Sequence, residues 1–189
     1  MLLLSSVLAT ALTAQGQGWP VQRMHPPSSS LQRLPAVERD LVIKLIRPGL
    51  GPLFQGEAPS VLDQAIRSFG AERINLGGVS AVALAPGSGE LCGAHGNCSF
   101  WIVDLTHRRV VLHTDAVAGF AVDTPKPHAV ADVYTSTRNS GNASEMIRWR
   151  YVGVHYERDL CATTNDTDES GAPLKEPQIT PHPCDADSN

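Results

Sequence analysis

The sequence predicts an α+β domain: two N-terminal helices followed by a mostly antiparallel sheet of about six to eight strands. Three observations predict it. Apolar residues recur at helical spacing from Val37 to Ile46 and again from Val61 to Phe69. From Ile74 onward the spacing changes to the alternation of strands. The links between the later apolar runs are short, which favours pairing of sequence neighbours in antiparallel fashion.

Each element follows from its residues. Pro35 suits a first helical turn, and Val37, Leu41 and Leu45, with Val42 and Ile46 beside them, make an apolar stripe that ends before Pro48-Gly49. Ser60 caps a second helix with Asp63 three residues on, its buried face is Val61, Leu62, Ala65, Ile66 and Phe69, and Gly70 closes it. Val79 to Leu84 alternates as a strand should. Phe100-Trp101-Ile102-Val103 and Arg109-Val110-Val111-Leu112, separated by a turn at Thr106-His107-Arg108, form a hairpin. Gly119 to Val122, Ala129 to Thr135, Glu145 to Tyr151 and Val154 to Tyr156 are further strands.

Around this core the chain divides four ways. Residues 1–16 read as a signal peptide: Met1 to Ala14 carry no charge, the apolar run is shorter than the roughly 20 residues a bilayer requires, and Ala14 and Gly16 supply the small residues of a cleavage site. Cleavage after Gly16 is expected, with Ala14 and Ala11 as alternatives, although no Lys or Arg precedes the apolar run. Residues 17–33, rich in Gly, Pro and Ser, read as a flexible linker. Residues 34–161 form the single domain. Residues 162–189, acidic, proline-bearing and poor in large apolar side chains, read as a polar tail.

The four cysteines, Cys92, Cys98, Cys161 and Cys184, behind a signal peptide read as two disulfides. Of three connectivities, the one joining sequence neighbours, Cys92–Cys98 and Cys161–Cys184, is expected, and it tethers the tail. The compartment follows: secreted or periplasmic. The net charge of -4 and scattered Lys and Arg exclude a nucleic-acid partner of the usual basic-stripe kind, and no further segment is a membrane-span candidate after signal cleavage.

The stretch Leu91-Cys92-Gly93-Ala94-His95-Gly96-Asn97-Cys98, followed by Phe100-Trp101-Ile102-Val103 and, later, by Ala131-Asp132-Val133-Tyr134 and the aromatic run from Ile147 to Tyr156, resembles a group of uncharacterised small exported bacterial proteins. These share a C-G-x-x-G-N-C turn and a β-rich domain. The resemblance covers residues 74 to 161 and implies an exported β-rich domain without naming an activity.

Cys92, His95 and Cys98 have the spacing of metal ligands, but an oxidising compartment favours a disulfide across a turn with His95 at its tip. Asp166, Asp168, Ser170 and Gly171 match half of a calcium loop whose twelfth position, where a bidentate Glu belongs, is Pro177. His107, His113, His128 and His155 lie in or beside strands with acids near them, but no G-x-S-x-G or H-E-x-x-H motif accompanies them. Gly77-Gly78 and Gly87-Ser88-Gly89 are turns, since neither opens a helix with the lysine of a phosphate loop. Trp101 and Trp149 read as core, with Trp149 on the opposite strand face from Arg148 and Arg150. Asn97, Asn142 and Asn165 begin formal N-glycosylation triplets.

These readings lead to an exported non-catalytic binding or envelope-interaction module of unknown envelope or extracellular ligand, without a cofactor, whose candidate interaction surface is His95 and Asn97 on a rigid turn. The alternatives are an envelope hydrolase assembled from strand histidines and acids, and metal binding through Cys92, His95 and Cys98.

Overall fold

The computed structural model describes residues 18–87, 91–93, 95–140, 142–168 and 170–184. The expected signal peptide and its cleavage site, the mature start near Gln17, and Ser88-Gly89 lie outside the described residues. Within them the fold is α+β, with two α-helices and two five-stranded antiparallel sheets.

The first sheet runs in the order β1 (Ser29–Ser30), β2 (Phe69–Asn75), β3 (Ser80–Pro86), β4 (Cys98–Asp104) and β5 (Arg109–Val117). The second contains β6 (Gly119–Val122), β7 (Val133–Arg138), β8 (Ala143–Val152), β9 (His155–Thr167) and β10 (Pro173–His182), paired in sequence order. The chain changes sheets at Ala118, the one residue between β5 and β6. One core fills the space between the sheets and includes Ala83, Phe100, Ile102, Phe120, Val133 and Trp149. A second lies under the helices and includes Val42, Ile46, Phe69, Leu84 and Trp101. β3 and β4 sit between both cores, so their apolar residues face both ways and every residue of β4 is buried.

The strand count exceeds the expected six to eight because both flanking segments are folded, adding β1 and β10, and because Phe69–Asn75 is a strand; there are two sheets where one was expected because the chain crosses from one to the other at Ala118. Residues 18–33, expected to be a flexible linker, form a strap. Phe120 N–H donates to His25 C=O at 2.9 Å and the reverse bond spans 3.1 Å, which adds His25 to the edge of β6. Ser29 and Ser30 pair with Ala71 and Gly70 of β2, and Leu31 is fully buried. Trp19 packs edge-on against Tyr134. Proline and serine concealed this, because the strap is held by backbone pairing, which leaves no side-chain period to read. The polar tail is likewise a hairpin: β9 continues past Cys161 to Thr167, and β10 returns along it with His182 opposite Cys161.

α1 (Ala36–Leu50) passes through Pro48 instead of stopping before it. The missing amide removes one hydrogen bond in the last turn, while fully buried Leu50 holds that turn on the core. Val37, expected inside, is 83% exposed; the buried stripe is Val42, Ile46 and Leu50. α2 (Pro59–Arg67) begins one residue before Ser60, with no side-chain cap, and Asp63 is ion-paired to Arg47 of α1 instead of capping. Gly70 does not end α2 but lies in β2, where a Cβ would stand 3.0 Å from the carbonyl oxygen of Pro27. That glycine admits the strap. The hairpin of β4 and β5 forms as expected, and Gly77-Gly78 turn the chain from β2 to β3, with both amides donating to Asn75 Oδ1 at 3.0 Å.

Candidate binding cleft

Cys92 bonds Cys98 and Cys161 bonds Cys184, the expected pairing. Both Cys92 and Cys98 sulfurs are therefore used, and no pair of thiolates remains beside His95 for a metal. Among the described residues no group of three His, Cys, Asp or Glu side chains is gathered as a metal site.

His95 and Asn97 line the same depression but are used differently. His95 is exposed at the turn. Asn97 turns inward to β7: its Nδ2 donates to Arg138 C=O at 2.8 Å and its Oδ1 accepts from Arg138 N–H at 2.9 Å. Both halves of the amide are spent joining the two sheets, so Asn97 is a clamp, not the projecting contact expected of it. The same bonds occupy the nitrogen a glycan would need.

The four strand histidines do not converge. His107 Nδ1 lies 2.7 Å from Asp104 Oδ2, whose other oxygen accepts His107 N–H at 2.9 Å. This buried carboxylate closes the β4–β5 turn, and a buried acid held by such partners has a structural role sufficient to explain it. His155 faces Glu157 at 3.1 Å on one hairpin. His128 is exposed, with φ 61°. His113 is the exception.

His113 stacks on Trp101, rings 4.8 Å apart and 8° from parallel, and its Nε2 lies 3.8 Å from Asp115 Oδ1. The hydroxyl of buried Ser99 donates to that same oxygen at 2.6 Å. Serine, acid and histidine thus meet, but the hydroxyl is bonded to the carboxylate and not to the imidazole. A nucleophile–base–orienter chain needs the opposite order. Asp115 owes its position to a bulge. Between Phe100↔Thr114 and Cys98↔Val117, β5 carries one residue more than β4, and Ala116 takes φ 60° to fit it.

The bulge overhangs a cleft of about 370 Å³ between the sheets. β5 supplies one wall with His113 to Ala116. The floor is the inner face of the second sheet, with Thr135 and Thr137 from β7, Glu145, Ile147 and Trp149 from β8, and Arg158 from β9. Period two puts Glu145, Ile147 and Trp149 on one face, and the register sets Trp149 opposite both Val133 and Arg158. Trp149 is buried as expected, on the face opposite Arg148 and Arg150, both of which reach Asp159. Its Nε1 donates to Thr135 Oγ1 at 2.8 Å and the Arg158 guanidinium stands 5.5 Å from its ring centre.

Glu145, Thr137 and Arg158 were not singled out in the sequence. Alternation assigns a strand's two faces but not which residues of the opposing sheet they meet. The half-calcium loop is a turn that satisfies itself: Asp168 Oδ1 accepts Ser170 N–H, Ser170 O–H and Ala172 N–H, and these bonds hold its carboxyl below the usual range. No helix among the described residues is long and apolar enough to cross a membrane. Compared with protein-family models, curated proteins and solved structures, the chain matches none of them.

Proposed function

We propose that this protein is an exported binding module that takes its ligand in the cleft between the β5 bulge and the inner face of the second sheet. The observation that carries this reading is the convergence of polar side chains from four strands on one concavity, where the Ser99 hydroxyl is bonded to the Asp115 carboxylate and not to the His113 imidazole. Two disulfides support a life in an oxidising compartment, in keeping with the resemblance to small exported bacterial proteins. The dispersal of His107, His128 and His155 supports binding over envelope hydrolysis.

The test compares wild-type protein with Thr137→Trp, which fills the cleft from its floor, as immobilised baits for an envelope extract. Components retained by wild type and lost from a variant of equal melting temperature support the reading. Identical retention by both overturns it.

A further inference from the structure

The cleft has a neighbour. A second depression of about 480 Å³, walled by Leu53, Leu91 and His95, shares His113, Asp115 and Ala116 with it. The two adjoin along the β5 bulge, whose residues line both, and are together called the groove. Their linings differ in kind. The second contains Leu53, 60% exposed and one of four exposed large apolar side chains among the described residues, with half-buried Leu91 beside it. The first contains two carboxylates from opposite walls. Asp115 stands at the rim with its side chain 75% exposed, and Glu145 lies half-buried in the floor. The Glu145 side chain makes no hydrogen bond or ion pair with any described residue. A carboxylate with no side-chain partner at the floor of a cleft is available to pair with a cation of a ligand. Arg158, over the Trp149 ring, supplies one positive charge to this compartment against the two carboxylates.

We propose, building on the binding reading above, that the groove's ligand is a peptide segment with one basic and one apolar side chain. The basic group enters the cleft against Glu145 and Asp115, and the apolar one settles on Leu53 and Leu91. The chain's net charge of -4 favours approach of a basic segment. Recognition is by side chains and not by strand addition: β5 carries two register shifts along its paired length, which break the regular row of backbone groups an added strand needs.

The experiment is an NMR titration of the ¹⁵N-labelled protein with capped pentapeptides. One set carries a lysine and a leucine at every separation; the other has glutamate in place of the lysine. Lysine peptides are expected to shift amides of residues 113–116 and 145–149, and glutamate peptides to leave them unmoved. Glu145→Gln and Leu53→Ser, neither of which removes a side-chain hydrogen bond, should each weaken lysine-peptide binding about fivefold or more without lowering the melting temperature. Equal response to both sets, shifts confined to another surface, or no shift with either set overturns the proposal. The last result leaves the cleft itself standing if Thr137→Trp has abolished retention of envelope components.

Discussion

Asn97 and Arg138 are joined as two strand residues would be, by one bond in each direction at 2.8 and 2.9 Å, although one partner is a side chain. The amide of Asn97 takes the place of a backbone amide and so continues the second sheet's edge into the disulfide turn of the first.

Removing that amide leaves the N–H and C=O of Arg138 without these partners. Asn97→Ala is expected to lower unfolding free energy by about 1–3 kcal/mol, whereas His95→Ala at the exposed tip should change it by less than about 0.5 kcal/mol. Urea unfolding of the two variants decides it, and equal effects would contradict the clamp.

Ala116 occupies the left-handed region at φ 60°, where a Cβ is unfavourable. Ala116→Gly should therefore stabilise the protein by up to about 1 kcal/mol, less what glycine's freer unfolded chain takes back. A fall in melting temperature would mean that the methyl group's contacts outweigh the strain.

Burial pushes the phenol of Tyr156 well above its usual value, with Asp132 adding to the effect, and its O–H donates to Ala131 C=O at 2.7 Å. The neutral form is the one the fold favours. Its contribution is whole below the ordinary phenol pKa near 10 and is lost as pH rises from there towards the folded value. Tyr156→Phe should cost about 1 kcal/mol at neutral pH and flatten the alkaline decline in stability; an unchanged alkaline profile would assign that decline to other groups.

The Cys161–Cys184 bond secures the outermost strand of the second sheet. Replacing both cysteines by alanine should cost about 2–4 kcal/mol and raise amide exchange across Pro173–His182, with β3 and β4 unaffected. Uniform acceleration of exchange would show instead that β10 belongs to the cooperative core.

What could be read from the sequence followed side-chain periodicity. The β4–β5 hairpin, buried Trp101 and Trp149 and the disulfide pairing were all visible, since apolar runs and cysteines state their own constraints. The strap at His25 and Ser29-Ser30 and the hairpin of β9 and β10 were not. Their bonds belong to the backbone, and residues such as Pro177 and Ser30 carry the same composition in a strand edge as in a linker. The cleft was hidden for a related reason. Asp115 sits in the bulge that an extra residue makes in β5, and Glu145 meets it only through the packing of one sheet on the other; neither is a local property of the chain.

The single-residue crossing at Ala118 bears on kinetics. It ties the wall of the cleft to its floor, as do Asn97 with Arg138 and the bond from Arg109 Nη2 to Tyr151 Oη at 2.7 Å. Walls so fixed have no hinge between them. A ligand of the proposed cleft would meet it in its final shape, so its capture would be governed by encounter and orientation, at roughly 10⁵–10⁷ M⁻¹s⁻¹, and its affinity by how long it stays.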